Sequence, residues 1–596
     1  MVWRKTSQRI APATHTPSAV GHYDVHPGFP VGPGKIALGF EALAELIAEQ
    51  THVILDGYGG VFWQDFRQRL ELVLKTRGIR TNWVCAEDAM RSPAEIDALV
   101  QPFLGGSDPV FGTRFTGRLE DFFDANKLEQ LRPEPNAELN LIYGCGASLT
   151  GWNGLLVYLD VPKNEIQFRS RSGSIGNLGS SNASDAKSIY KRLYFVDWIA
   201  LNKHKAKLLE RIDVIVDHQR PDEPSLMRGN DFRAALEAMS HNFFRARPWF
   251  EPGPWGGQWI KQHVLELPQD TPNYAWSFEL ITPENGVALE SDGRLLEVSF
   301  DFVMFHDHRA VLGEAAERFG FEFPIRFDWL DTIKGGNLSV QVHPSPTYAK
   351  QHFGEGFTQD ETYYILEAEP EAEVYLGFQD NIDPSQFRAA LEQSHHQGSA
   401  LEVEQFVQRH PAKKHDLFLI PHGTIHCSGA GSVVLEISAT PYIFTFKMYD
   451  WLRLDLDGNP RPMNIERAFE NLDFSRRGER VQAELISKPV VLERGAGWRV
   501  MHLPTHPDHF YDIQRLEFTT EFQAQTANAC HILSLVEGTS IILETQRGLR
   551  QRFNYAETFV VPAAAGSYKL INEGSGEAKV IRSFVRPPEQ SHGPRA

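Results

Sequence analysis

The apolar residues of this chain change their spacing several times, and each change predicts a different kind of element. Thr51-His-Val-Ile-Leu-Asp56, Leu155-Leu-Val-Tyr-Leu-Asp160 (stopped by Pro162) and Ile212-Asp-Val-Ile-Val-Asp217 are short apolar runs of the sort that form buried strands. Between the first two, Trp63 to Arg77 repeats apolar residues at helical spacing through Phe66, Leu70, Val73 and Leu74. Strands alternating with helices predict a parallel α/β layer up to about Pro221. Ser170 to Ser188 is rich in Ser, Gly and Asn and is expected to be a loop. A helical stretch follows at Asp231 to Ala246.

From Trp255 to about Thr440 the texture is different. Runs are short, strand-like and broken by Gly, Pro, Asp and Asn, as in Asn337-Leu-Ser-Val-Gln-Val-His343 and Ser432-Val-Val-Leu-Glu-Ile-Ser438. That predicts a sandwich or barrel, with a helical excursion at Pro384 to Arg409. Met448 to Lys488 has the pattern of a connector. Short strands return from Val490 to Arg586, including His531-Ile-Leu-Ser-Leu-Val536, Ser540-Ile-Ile-Leu-Glu544 and Thr558-Phe-Val-Val-Pro562. Phe418-Leu-Ile-Pro421 and Phe559-Val-Val-Pro562 both run an apolar strand into a proline turn. This echo is compatible with a duplicated barrel and, being short, also with coincidence.

Composition narrows the function. The chain of 596 residues carries 59 Lys plus Arg against 77 Asp plus Glu, a net charge of −18. Such a chain repels phosphodiester backbones, so no nucleic-acid partner is expected. A small anionic ligand stays open, because a few local cations can reverse the field in one cleft. Cys85, Cys145, Cys427 and Cys530 are far apart and form no CxxC pair, which suits a reducing compartment rather than a disulfide framework. No apolar run reaches the ~18–20 residues of a membrane span, and Met1 to Thr16 lacks a signal-peptide pattern. The expectation is a soluble cytoplasmic protein without a membrane partner; oligomeric state is not legible.

The richest chemistry is Gln341-Val-His343, then Glu361, then His426. Residues 341 and 343 lie two apart, so on a strand both side chains leave one face while Val340 and Val342 leave the other. Imidazole nitrogens with a carboxylate and an amide oxygen suit zinc or another divalent ion with positions left for substrate. Two histidines among 23 carry little weight by themselves.

The order of motifs carries more. Leu338-Ser-Val-Gln-Val-His-Pro344, Glu361-Thr-Tyr-Tyr-Ile-Leu-Glu-Ala368, Val374-Tyr-Leu-Gly-Phe378, Pro421-His-Gly-Thr-Ile-His426 and Leu435-Glu-Ile-Ser438 together resemble type I mannose-6-phosphate isomerases, with Pro254-Trp-Gly-Gly257 and Trp276-Ser-Phe-Glu279 upstream. The resemblance runs from about Ala246 to Pro587. It implies a cupin fold, metal ligation by Gln341, His343, Glu361 and His426 (Zn2+, or another divalent metal), and proton transfer through an enediol between two sugar carbons. It assigns the base role to Glu436 and places Lys447 where relatives carry an arginine. Asp328 and Gln359 stand where relatives carry lysines, so the usual phosphate pocket is altered. Arg326, Lys334, Lys350 and Arg453 are the cations that could compensate.

Val53-Ile-Leu-Asp56-Gly57-Tyr-Gly-Gly60 follows a strand and opens a helix, and resembles the first loop of uridine-kinase-like P-loop proteins. A working loop needs Gly-Lys-Ser/Thr, but Phe62-Trp63-Gln64 occupies that stretch, so the expectation is a degenerate, non-hydrolysing domain or, equally, an α/β layer that happens to contain a Gly-rich turn; no cofactor-binding residue is assigned here, and nucleotide binding is not legible. Asn202-Lys203-His204-Lys205 reads as an anion contact or, more commonly, a solvated helix face.

The expected fold class is multi-domain: an N-terminal α/β unit, degenerate and P-loop-like, followed by all-β double cupin barrels with helical insertions. The expected divisions are an extension at 1–36, the kinase-like domain at 37–230, a metal-binding cupin at 246–447, a helical connector at 448–488 and a metal-free cupin at 489–590. The expected function is metal-dependent aldose–ketose isomerisation of a sugar or sugar phosphate. The alternatives are a non-catalytic, metal-holding sugar-binding or regulatory protein, and an active kinase–isomerase fusion, which Trp63 disfavours.

Overall fold

A computed structural model describes residues 2–587 except 107, 181–184, 442 and 457. These residues fall into two compact units, Met1–Pro17 with His26–Met239 and Pro283–Asp307, and Ser18–Val25 with Ser240–Thr282 and His308–Ala596. The segment expected to be an extension is therefore shared between them. Among the described residues, no helix is long and apolar enough to cross a membrane.

The first unit is built on a seven-stranded sheet. Its five parallel strands lie in the spatial order Val214–Asp217, Leu155–Asp160, His52–Gly57, Leu139–Tyr143, Thr81–Cys85. Ser225–Arg228 and Ala37–Leu38 add antiparallel strands at one edge. Strands without polar alternation are those buried on both faces, as in parallel sheets, and Val53, Ile54, Leu55 and Leu156–Leu159 are all buried. Helix Trp63–Thr76 turns Trp63, Phe66, Leu70 and Leu74 inward. Two expectations change here. Ser170 to Ser188, expected as a loop, begins and ends in helix, at Lys163–Arg171 and Ala186–Arg192; residues 181–184 lie outside the described set. The basic island sits on helix Trp198–Leu208, where His204 and Lys205 are buried rather than solvated.

The reason is electrostatic. Lys205 Nζ lies 3.1 Å from Asp160 and 3.6 Å from Asp301, and also bonds Ser299. Lys163 pairs with Asp301 as well. Asp301 and Ser299 come from residues 283–307, a hairpin (Gly286–Ser291, Arg294–Ser299) and the start of a helix that belong to this unit. A buried charge is tolerated only when paired, so this cluster binds the distant segment to the sheet.

The second unit contains two pairs of antiparallel sheets. The first pair comprises a six-stranded sheet, in the order Leu417–Ile420, Glu361–Ala368, Ser432–Ala439, Ile325–Asp331, Trp276–Leu280, Trp249–Glu251, and a five-stranded sheet, in the order Val407–Pro411, Glu373–Phe378, His426–Ser428, Val340–Val342, Phe446–Tyr449. The helical excursion is Pro384–Gln397, capped by Asp383 at one end and Gly398 at the other. Strand Phe446–Tyr449 runs into the expected connector, which holds two short helices, Ile465–Phe469 and Glu479–Glu484. The second pair, from Val490 to Val585, has six and four strands. The two pairs are joined in the core by Trp329, whose indole donates to Ala556 O at 3.1 Å, and by Tyr511, whose hydroxyl donates to Ile437 O at 2.8 Å. All four cysteines are free.

Replacing Lys205 by Met removes the ammonium paired with Asp160 and leaves Asp301 to Lys163, and is expected to cost about 3–5 kcal/mol, read by urea unfolding. Glu284, hydrogen-bonded by Tyr190 and Gln167, is pushed by burial up to about 7 from an ordinary 4.5. A raised carboxyl contributes stability that is complete below pH 4.5 and is lost as pH rises through 7. This group alone should remove up to about 3 kcal/mol across that window, and Glu284→Gln should flatten that part of the pH profile.

Candidate metal centre

His343, Glu361 and His426 converge in the core of the first sheet pair, each offering a ligand atom within 4.8 Å of the others. Glu361 opens its strand in the six-stranded sheet, His426 opens its strand in the five-stranded sheet, and His343 follows the end of Val340–Val342. The trio therefore bridges the two sheets at one end. His343 Nε2 is 3.0 Å from Glu361 Oε1, and His426 Nε2 is 3.4 Å from Glu361 Oε2.

Each imidazole is oriented from behind. His343 Nδ1 donates to Phe444 O at 3.2 Å and His426 Nδ1 donates to Thr424 O at 2.9 Å. A ring whose Nδ1 carries the proton presents the lone pair of Nε2 forward, the arrangement of metal-binding histidines. His343 Nε2 and Glu361 Oε2 are buried without a hydrogen-bond partner. Orphaned lone-pair donors of this kind, facing one another in a buried core, fit a divalent cation. Gln341 pairs in register with His426 but turns Nε2 towards it at 3.2 Å, while its Oε1 accepts from Ser339. An amide binds metal through oxygen, so Gln341 would join the trio only with its amide ends exchanged.

The charges around the trio compete. Burial alone would raise the Glu361 carboxyl, but the two imidazoles hold it well below the usual carboxylate range. Burial pushes His426 down, which favours its neutral, ligating form. Gln359, in place of a lysine, donates to Glu361 Oε1 at 2.5 Å and orients the carboxylate without neutralising it.

Register places a second row beside the trio. Arg326 lies opposite Ser438 and Asp328 opposite Glu436, while Glu361 lies opposite Ser438 and Tyr363 opposite Glu436. All six side chains therefore share the face that carries Glu361. Arg326 is the cation that the structure brings to the site. It bonds Glu436, donates to Ser438 at 2.5 Å and reaches Glu361 at 3.3 Å. Asp328 is left with a 3.7 Å approach to Arg326, and burial pushes its carboxyl up to about 7 against that pull, with Glu361 adding to the rise. Lys447, half-buried, is Gln341's register partner and shares its face. Lys334 and Lys350 are exposed and Arg453 pairs with Asp450, so none of these three takes the place of the missing lysines. The ion pair between Arg326 and Glu436 was not singled out from the sequence, although the alternation of 326/328 and 436/438 carried the signal.

The first unit has a closed crevice of its own. His52–Gly57 lies where the strand order reverses, the place at which open α/β sheets bind ligands. There the Asp56 carboxylate accepts from the amides of Gly57 (2.7 Å), Gly146 (2.9 Å) and Ser148 (3.0 Å), and from the Ser148 hydroxyl at 2.5 Å. His204 Nε2 stands 2.9 Å away. Burial would raise this carboxyl, but His204 and Ser148 bring it below its ordinary value. Backbone amides that could cradle an anion are thus taken by the chain's own carboxylate. Ile166 closes over Gly60, where a Cβ would meet it at 2.9 Å, and the Trp63 ring lies 3.1 Å from a Cβ on Gly57.

Residues 39–241 match a family model described as a domain of unknown function (DUF8485). The chain is 24% identical over 340 residues to the probable mannose-6-phosphate isomerase GmuF of Bacillus subtilis (strain 168), covering 57% of this chain and 98% of that protein. It is 26% identical over 234 residues to mannose-6-phosphate isomerase ManA of the same organism, covering 39% and 69%. A mannose-6-phosphate isomerase of Streptococcus mutans is 28% identical over 223 residues, covering 37% and 65%. Among solved structures, a mannose 6-phosphate isomerase from Bacillus subtilis is similar at a TM-score of 0.47 and 20% identity, covering 58% of this chain and all of that one.

His343→Ala is expected to weaken divalent-metal binding at least ~100-fold, more than is typical for removing an outer-shell partner. Elemental analysis after dialysis checks this; the wild-type chain should retain one ion and the variant none.

Proposed function

We propose that the second unit holds a catalytic divalent metal, zinc or another, at His343, Glu361 and His426 with Gln341 beside them, and that it is an aldose–ketose isomerase acting on a sugar or sugar phosphate. One observation carries the reading: a buried His–Glu–His trio in which His343 Nε2 and Glu361 Oε2 are left without a hydrogen-bond partner. Similarity to proteins named as mannose-6-phosphate isomerases supports the reaction type. On this reading the two sheet pairs are a double cupin, with the metal in the first barrel. The α/β unit is a degenerate, non-hydrolysing relative of P-loop domains, in keeping with its filled crevice.

A bound divalent ion would supply Lewis acidity, stabilising negative charge on a sugar oxygen as carbonyl and hydroxyl exchange. The remaining chemistry belongs to the chain. Glu436 Oε1 is engaged by Arg326 and Ser438, so Oε2 is the oxygen that takes a proton from one sugar carbon and returns it to the next. Arg326 pairs with that carboxylate. Lys447, on Gln341's face, places a positive charge towards developing negative oxygen. The second reading, a metal-holding sugar-binding protein without turnover, is favoured by that same ion pair, which ties down half of the base.

Chelation should abolish interconversion of aldose and ketose, and zinc, manganese or cobalt should restore it. Glu436→Gln should lower kcat about 10²–10⁴-fold with metal content unchanged. Activity that survives complete chelation contradicts the metal reading. Stoichiometric metal and sugar binding without turnover selects the second reading.

A further inference from the structure

We propose that residues 471–476, in the segment between the two sheet pairs, form a brace that positions both histidine ligands of the trio, with Arg476 as its principal positioning residue. This rests on the trio being a metal site, and it specifies what holds that site in shape before an ion arrives.

Each histidine stands beside a turn, and each turn is bonded from this segment. Ser345, two residues past His343, donates its amide to Asn471 Oδ1 at 3.0 Å. Gly423 donates to His343 O at 3.0 Å, and its own carbonyl accepts from Asp473 N at 2.9 Å. Arg476 closes the turn at 421–424, where Nη1 reaches Pro421 O (2.9 Å), His422 O and Thr424 Oγ1 (2.5 Å). The carbonyl of that same Thr424 accepts from His426 Nδ1 at 2.9 Å. The guanidinium thus grips the residue whose backbone fixes the tautomer of a ligand, the role of outer partners in metal sites. Gly423 permits the close approach, because its φ is +80° and a Cβ there would meet Asn471 O at 2.9 Å.

The brace is itself fixed. Phe474 stacks on Phe378 (4.7 Å, 17°), Phe378 N donates to Arg476 O at 2.9 Å, and Gly478 N donates to Phe378 O at 3.1 Å. Arg476 is buried, and its other nitrogens face Asp473 at 3.4 Å and Asp508 at 3.3 Å. A buried guanidinium needs acceptors around it, and here they are the turn's oxygens and these two carboxylates. Asp508 belongs to the loop between strands Trp498–Leu503 and Tyr511–Phe518. The second sheet pair supplies none of the trio, yet it reaches the turn before His426 through this ion pair. An arginine that only stabilised the fold could be replaced without any change at the histidines; a brace could not.

The test uses the full chain. Co2+ is the probe, because its visible spectrum reports ligand geometry, and NMR of histidine labelled with nitrogen-15 reads the imidazole tautomers in the metal-free protein, the His426 signal being assigned by its loss in His426→Gln. We expect Arg476→Met to weaken Co2+ binding ~10–100-fold and to change the spectrum of the ion still bound. In the metal-free protein His426 should be the Nδ1–H tautomer in the wild type and a mixture in Arg476→Met. Arg476→Lys should recover part of the affinity, and Asp508→Asn should weaken binding by a smaller factor than Arg476→Met. Thr424→Val, which removes only the Oγ1 contact, should show the same two effects at smaller size. Unchanged Co2+ affinity and spectrum with an unchanged His426 tautomer overturn the proposal, in Arg476→Met or, should that variant not fold, in Thr424→Val. A wild-type chain that binds no Co2+ contradicts the metal reading; the brace then stands if the variants mix the His426 tautomers and falls if they do not.

Discussion

The candidate site depends on one buried carboxylate held well below the usual carboxylate range. Glu361 sits where desolvation works against its charge, and only the partners around it reverse that balance. Two imidazoles face it, a neutral amide orients it, and a guanidinium lies within reach. Remove those partners and burial would push the carboxyl up, as it pushes Asp328, two strands away, up to about 7. The contrast between these two acids on one face is instructive. Burial raises both, and the charges nearby decide that Glu361 is brought down while Asp328 stays raised.

Arg326 is the cation shared along this row. One guanidinium serves Glu436, Ser438 and Glu361, and its remaining reach to Asp328 is long. A guanidinium engaged in this way is not free to meet an incoming anion. The site's acidity is thus a local echo of the chain's net charge of −18, and it bears on ligand choice more directly than the global number does. In the first unit the logic is inverted. There the amides that could have received an anion are already satisfied by Asp56, and buried lysines serve to attach residues 283–307 to the sheet.

Much of this was legible in the sequence wherever local pattern decides structure. The apolar runs at His52–Gly57, Leu155–Asp160 and Glu361–Ala368 became strands, and Trp63–Thr76 became a helix, because side-chain periodicity fixes which face is buried. His343, Glu361 and His426 were visible in the sequence and do come together, with the Gln341 amide nitrogen turned towards His426. What was hidden depends on pairing across long stretches of chain. No pattern near Pro283 announces that the hairpin 286–299 belongs with a sheet begun at residue 37. His204 and Lys205 look like a wetted helix face until Asp56 and Asp160 are placed beside them. The alignment of Phe278 with Asp328 is likewise a matter of register, which only the folded sheet supplies.

The most direct test of the central claim is anomalous diffraction at the metal absorption edge from crystals of the reconstituted protein. The account predicts one ion, ~2.0–2.2 Å from His343 Nε2, His426 Nε2 and a Glu361 oxygen. A map with no ion at the trio, or with the ion bound elsewhere while these three side chains keep their positions, would contradict it.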